Sequence, residues 1–212
     1  FFFSTPPPDP PPSTLDGLAP AVRDVISVAQ AQVRRQPYSG DDWGRLGMVL
    51  FAHRLESDAR FCFRHAAQLD TDDYRWPYLL GVSLSVEEPQ AARRQFERAL
   101  ELEPDSAIIR SRLAELELGL DAVELAERRL REATELDPKR ARAWLGLARV
   151  AFRQGDLEES RGLAQKALRL APDQRAPHAF LAMVLQALGD RRQALQHLEA
   201  AQSLPDHTLL WQ

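Results

Sequence analysis

The chain has 212 residues, of which 44% are hydrophobic and 27% are charged, an ordinary composition for a globular protein. Lysine and arginine number 27 against 31 aspartates and glutamates, and the resulting net charge of −4 argues against a general nucleic-acid binder, which needs a basic face. The single cysteine excludes an internal disulfide and a CxxC zinc site, and no apolar run is long enough for a complete membrane span.

The chain begins with an apolar and then a proline-rich segment. Six prolines among the seven residues 6–12 predict a polyproline II arm, either a stiff spacer or a ligand for an aromatic-lined groove. The phenylalanines of residues 1–3 have three interpretations: the end of a membrane or signal anchor, an apolar plug that binds this chain or a neighbour, or a disordered end. Residues 1–17 are therefore treated as an extended arm, with a membrane tether before Phe1 as one hypothesis.

Residues 18–39 are predicted to contain an N-terminal capping helix. Pro20 suits the first turn of this helix, and Arg34 and Arg35 complement the dipole at its end. The apolar face of the helix consists of Leu18, Val22, Val25, Ile26, Ala29 and Val33.

From residue 40 the sequence repeats with a period of 34 residues. Alanine recurs at that interval at Ala99, Ala133, Ala167 and Ala201, and proline recurs at Pro104, Pro138 and Pro172. The step from Ala66 to Ala99 is 33, which indicates a one-residue deletion in the turn around 85–89. Apolar residues three and four apart predict two helices in each repeat. The array spans 40–208, with repeats at about 40–73, 74–106, 107–140, 141–174 and 175–208.

The residue types within each repeat follow one pattern. Repeat 1 carries Trp43, Leu46, Gly47, Leu50, Ala59, Phe63 and Ala66, and repeat 4 carries Trp144, Leu147, Ala148, Gly155, Ala164, Ala167 and Pro172. This pattern resembles the tetratricopeptide repeat family, although Arg54 and Asp121 stand where a turn glycine is usual. The resemblance implies an all-α, right-handed α-solenoid of about five helix pairs, preceded by the capping helix and the arm.

The C-terminal tail at 209–212 contains Leu209, Leu210 and Trp211, with little sequence left to cover them. Three interpretations stay open for these residues: they fold back onto the last repeat, they contact a partner, or further chain follows them.

No nucleotide-binding, zincin or haem-attachment motif occurs, so the sequence predicts a non-catalytic protein with no cofactor and no metal site. The five histidines are interpreted as surface or structural residues, although His178 and His197 share one predicted helix pair. Cys62 lies between two phenylalanines in a predicted helix and is interpreted as a buried, inert thiol.

The resemblance implies that the second, fifth, ninth and twelfth positions of each repeat line a concave groove. The candidate partner-binding residues, which include Arg153 beside these positions, are Met48, Phe51, Tyr78, Val82, Arg142, Leu145, Arg149, Phe152, Arg153 and Met183. They are interpreted either as apolar anchors and arginines that hold an acidic partner segment, or as core residues at the seam between repeats. Gly44 and Met48 stand where a co-chaperone carboxylate clamp needs Lys and Asn, which disfavours that clamp.

The function hypothesis is a protein-interaction scaffold that binds a protein or peptide segment in the groove and aids assembly of a larger complex. The alternative is a permanent structural subunit of a membrane-associated complex, held by the proline-rich arm and the terminal repeats. The Ala-, Leu- and Arg-rich repeats look bacterial, and a membrane-anchored, periplasmic location is favoured over a cytoplasmic one. No nucleic-acid partner is expected.

Overall fold

A computed structural model of the protein describes residues 8–11 and 17–205. These residues contain eleven α-helices and no β-strand, so the predicted all-α class is confirmed. The interpretations of residues 1–3 and of 209–212 concern positions outside this described part. The helices are α1 (Pro20–Arg35), α2 (Gly40–Ala52), α3 (Glu56–Leu69), α4 (Arg75–Leu84), α5 (Pro89–Leu102), α6 (Ala107–Gly119), α7 (Val123–Leu136), α8 (Ala141–Gln154), α9 (Leu157–Leu170), α10 (Arg175–Ala187) and α11 (Arg191–Ser203).

The ten helices after α1 pair into five consecutive hairpins: α2 with α3, α4 with α5, α6 with α7, α8 with α9, and α10 with α11. The first helices of four hairpins have 13 or 14 residues, whereas α4 has 10. The segment after α4 is the turn in which the sequence indicates a lost residue.

Local chemistry sets the ends of several helices. The Ser39 side chain accepts a hydrogen bond from the Asp42 backbone N–H at 3.1 Å, and Ser106 accepts one from the Ile109 backbone N–H at 3.4 Å. These side chains replace partners that the first turn of a helix lacks. Pro89 occupies the first turn of α5, where a missing N–H costs nothing.

The described residues form two compact units, one ending at Pro104 and the other beginning at Asp105. In the first unit, α1 packs against α2, α2 against α3, α3 against α4, and α4 against α5. In the second unit, each helix from α6 to α11 packs against the next, and α6 also contacts α8. Each unit therefore stacks successive hairpins, as repeat architectures require for burial of their apolar stripes.

Close helix approach within a hairpin depends on a small residue facing a large one. A Cβ atom on Gly47 would lie 2.7 Å from the Phe63 ring, and one on Gly81 would lie 2.9 Å from the Phe96 ring. Both phenylalanines are buried, at 0% and 1% exposure. The missing side chain therefore provides the space that the ring fills, which gives the dense packing of a protein core.

The N-terminal helix α1 buries Ile26, Gln30 and Val33, whereas Val25, expected on the same face, is 51% exposed. The buried residues are four and three positions apart, and Val25 lies about 100° around the helix from Ile26. Pro11, within the described part of the arm, is also buried, and its carbonyl accepts a hydrogen bond from the Gln30 side chain at 3.0 Å.

No helix of the described residues combines the length and apolar character that crossing a membrane requires.

Candidate functional site

The predicted groove residues fall into two groups, one in each compact unit. The first unit holds Met48 and Phe51 on α2, and Tyr78 and Val82 on α4. The second unit holds the remaining six, which are Arg142, Leu145, Arg149, Phe152 and Arg153 on α8 and Met183 on α10.

Two of these ten residues lie in the core. Phe51 is 8% exposed, and its ring centroid is 6.1 Å from that of Phe63 on the paired helix. Leu145 is 4% exposed and packs in an apolar cluster with Phe180 and Leu181 of α10. Their side chains contribute packing free energy to the fold, and the candidate surface consists of the other eight residues.

In the first unit, charged side chains near the start of α2 and of α4 form ion pairs. Arg75 donates to Asp41 at 3.1 Å across the two helices, and its Nε donates to Asp73 at 2.8 Å. Burial acts to raise the pKa of Asp73, but hydrogen bonds from the Arg75 side chain and backbone outweigh it and hold this pKa below its usual value. Nearby, the Tyr78 ring is half-buried against Phe96, with centroids 5.9 Å apart.

In the second unit, two arginines of α8 approach one glutamate of α6. Arg142 donates a hydrogen bond to Glu115 at 2.7 Å, whereas the nearest nitrogen of Arg149 lies 3.6 Å from the other oxygen of Glu115. The Glu115 side chain is 19% exposed and the Arg149 side chain 39% exposed. Arg142 therefore forms the direct ion pair, and Arg149 keeps a looser contact and an accessible guanidinium.

An aromatic pair supports Arg149 from α8 and α10. Its guanidinium carbon lies 5.8 Å from the centroid of the Phe180 ring, within range of a cation–π interaction. Phe152 meets the same ring edge to face, with centroids 5.9 Å apart. On α10, Met183 is 44% exposed. A half-exposed arginine thus lies beside an aromatic ring of α10, the helix that also carries the exposed Met183 side chain.

Arg153, the last of the predicted residues, lies near the end of α8. It donates to Asp121 of the α6–α7 turn at 3.0 Å, and the Asp121 side chain is 89% exposed. An exposed pair of this kind contributes little to stability. The Arg153 charge is therefore partly neutralised at a place that solvent reaches.

Sequence reasoning missed two contacts of this arrangement. Glu115 is the ninth residue of repeat 3 and so belongs to the positions implied to line the groove, but its arginine partners were not predicted, and Phe180 was omitted. One signal could have revealed the first: Glu115 and Arg149 have opposite charges and lie 34 residues apart, one repeat, as do Asp41 and Arg75. Equivalent positions of stacked repeats are neighbours, so opposite charges at this spacing indicate an ion pair between repeats.

Within residues 8–11 and 17–205, no group of three or more His, Cys, Asp and Glu side chains is placed to hold a metal ion. Burial raises the pKa of the Cys62 thiol, and the nearby Asp58 carboxylate adds to the shift, which keeps this thiol protonated and unreactive. The surface that carries Arg149, Phe152, Phe180 and Met183 is called the arginine face. The fold and the arginine face together define an α-helical repeat protein with a candidate protein-binding surface.

Comparison with known proteins finds similarity to one family. A family model described as tetratricopeptide repeat matches residues 82–127 and 123–175. Human tetratricopeptide repeat protein 8 is 35% identical over 116 residues, which cover 52% of this chain and 21% of that protein. The chain thus spans about a fifth of the length of this relative. Together with the helical hairpins, these matches support a protein of the tetratricopeptide repeat family.

Solved structures share the fold at low sequence identity. PilF of Pseudomonas aeruginosa is 22% identical, with a TM-score of 0.68, and the match covers 80% of this chain and 78% of that one. YrrB, described as a tetratricopeptide repeat protein with an unusual peptide-binding site, is 18% identical, with a TM-score of 0.61 and coverage of 83% and 91%. At this level of identity the similarity establishes the fold alone.

Proposed function

We propose that the protein is a non-catalytic interaction scaffold that binds a segment of a partner protein on the face formed by α6, α8 and α10. The observation that carries this proposal is the position of Arg149, whose half-exposed guanidinium rests on the Phe180 ring and contacts Glu115 only at 3.6 Å. A partner carboxylate forms shorter, bidentate hydrogen bonds with such a group.

When a partner carboxylate replaces Glu115 as the contact of Arg149, no buried charge is left unpaired. Glu115 keeps its 2.7 Å hydrogen bond from Arg142 when Arg149 turns to the partner. An arginine that already has an aromatic platform also loses less conformational freedom on binding than one that extends into solvent. The local charge pattern therefore favours an acidic segment.

Apolar side chains on the same three helices supply the rest of the proposed surface. Met183 is 44% exposed on α10 and Ile108 is 42% exposed on α6, while Phe152 is half-buried. Flexible thioether and aliphatic groups suit the anchoring of apolar partner side chains. The proposed ligand is thus an acidic residue close to an apolar one in an extended or helical segment, held for assembly of a larger complex.

Known members of the fold support a peptide ligand only by analogy, through the peptide-binding site described for YrrB. The alternative, a permanent structural subunit of a membrane-associated complex held by the proline-rich arm and the terminal repeats, stays a prediction, and most of the arm lies outside the described part.

A peptide selection tests the proposal and requires no identified partner. A library of random 12-residue peptides is selected on the full-length protein, and enriched peptides are then titrated against the protein by fluorescence anisotropy. We expect peptides that combine Asp or Glu with an apolar residue, and we expect Arg149→Gln to weaken their binding at least tenfold, since a charge-assisted hydrogen bond contributes about 1.5–3 kcal/mol.

The matched control is Arg161→Gln on α9, an arginine whose side chain is 43% exposed and which pairs with Glu158 on its own helix. It removes the same charge from a different surface and should leave peptide affinity unchanged. Equal affinity of the Arg149→Gln protein, with an unchanged thermal melt, would refute the proposed face.

A further inference from the structure

The last hairpin brings two histidine side chains together. His178 lies in the first turns of α10 and His197 lies on α11, and their Nδ1 atoms are 3.0 Å apart. Both rings are partly buried. Because they come from different helices of one hairpin, the packing of α10 against α11 sets the distance between them.

A contact shared between repeats indicates which ring nitrogen of His178 carries a hydrogen. The indole N–H of Trp43 donates to the Pro37 carbonyl at 2.9 Å, and that of Trp144 donates to the Pro138 carbonyl at 2.8 Å, in each case six residues earlier. His178 occupies the equivalent position in its repeat, and its Nε2 lies 3.2 Å from the Pro172 carbonyl. A carbonyl oxygen only accepts, so Nε2 carries the proton.

With the proton on Nε2, the Nδ1 atom of His178 presents a lone pair to the Nδ1 atom of His197. Two imidazoles that face each other in this way share one proton or bind one cation.

The separation of the two nitrogens suits a metal ion. Two nitrogen ligands about 2.0–2.1 Å from a tetrahedral zinc ion lie about 3.3 Å apart, so a shift of a few tenths of an ångström would admit the ion. Metal-binding histidines typically donate their second ring N–H to a carbonyl or carboxylate, which orients the ring, as the Pro172 carbonyl does for His178.

We propose that His178 and His197 form a two-histidine site for a divalent transition-metal ion of the Zn²⁺ class. Imidazole nitrogen is a preferred ligand of these ions. No third His, Cys, Asp or Glu ligand joins the pair within the described chain, so water or an external ligand fills the other coordination positions. The site is independent of the arginine face and of the scaffold function.

Isothermal titration of the full-length, untagged chain with ZnCl₂ at pH 7.5 tests this site. We expect one zinc ion to bind per chain, and His197→Ala to weaken binding at least tenfold. His178→Trp is the sharper variant, because it places at this position the residue found in repeats 1 and 4, preserves a donor to Pro172, and removes the metal ligand. His53→Ala is the control and should bind zinc as the wild type does.

Imidazole ¹⁵N NMR distinguishes coordination from an ordinary hydrogen bond. Zinc should shift the Nδ1 resonances of both His178 and His197 in the wild-type protein. The proposal is overturned if the wild type binds no zinc, if His178→Trp binds it with wild-type affinity, or if zinc leaves both Nδ1 resonances in place.

Discussion

At the scale of single residues, one backbone conformation recurs at the turns between paired helices. Gly155 and Gly189 have φ values of 89° and 86°, and the turn residues Arg54 and Asp121 have φ values of 60° and 63°. The left-handed region strains a side chain with a Cβ atom, and glycine avoids that strain. The sequence departures at these two positions therefore leave the turn geometry intact and add local strain.

Replacement of Arg54 by glycine should consequently stabilise the protein. We expect Arg54→Gly to raise the free energy of unfolding by about 0.5–1 kcal/mol, because the relief of strain exceeds the entropy that glycine loses on folding. Urea denaturation followed by circular dichroism measures the change. Ala52→Gly, two residues earlier in α2, should act in the opposite direction, and a loss of stability in both variants would contradict the argument.

At the scale of helices, Gly44 and Trp76 form a matched contact between α2 and α4. A Cβ atom on Gly44 would lie 2.0 Å from Cζ3 of Trp76, whose side chain is fully buried. The indole therefore lies directly against the α2 backbone, and the packing of two successive hairpins depends on the absence of a side chain at Gly44.

The substitution Gly44→Ala should destabilise the protein by about 1–3 kcal/mol, because the new methyl group overlaps a ring in a packed core. Gly162→Ala is the matched control on α9, since Gly162 has nothing within 4 Å of the position of its Cβ atom. It should stabilise by about 0.5–1 kcal/mol through helix propensity. Thermal and urea melts measure both, and equal effects would show that the Trp76 contact does not control this packing.

The helices could be predicted from the sequence, because the 34-residue period and the spacing of apolar residues three and four apart are local patterns that can be read without knowledge of neighbouring helices. It could not decide which groove positions face solvent. Phe51 and Leu145 occupy positions of the same periodic set as Met183, yet they lie at 8% and 4% exposure and Met183 at 44%. Burial depends on the neighbouring helix, as with Phe63 beside Phe51, and a single-helix pattern does not contain that information.

The arm shows the same limit of sequence reasoning. Its composition predicts an extended conformation, but the hydrogen bond from Gln30 to the Pro11 carbonyl joins residues 19 positions apart. A polar residue on an apolar face was the available signal: Gln30 lies between Ile26 and Val33 and is 8% exposed. A buried amide requires a partner, and the arm supplies it.

At the scale of the whole molecule, stability should depend on pH through its partly buried histidines. His65 lies against Trp43, with ring centroids 4.5 Å apart, and its Nε2 has no hydrogen-bond partner among the described residues. Burial lowers the pKa of His65 below its ordinary value of 6.5, although a hydrogen bond with Gln68 opposes the shift. The unfolded chain therefore binds protons at a higher pH than the folded chain does.

Because the pKa of His65 is lower in the folded state, its contribution to stability is complete above pH 6.5 and is lost as pH falls from that value through the lower pKa of the folded protein. We expect a lower melting temperature at pH 5.5 than at pH 7.5 by differential scanning calorimetry. His65→Phe should reduce the difference, whereas His53→Phe should leave it unchanged. A difference of the same size in the His65→Phe protein would assign the pH dependence to other groups.

The contact of Trp76 with the backbone at Gly44 has a consequence for the evolution and engineering of this array. Repeats of equal length are commonly assumed to be exchangeable, but repeats 1 and 2 are complementary, because Gly44 of repeat 1 leaves the space that Trp76 of repeat 2 fills. A duplication or rearrangement that separates these two repeats would leave Trp76 facing a residue with a side chain, or Gly44 facing an unfilled space. We infer that repeats 1 and 2 can be moved into another repeat array only together.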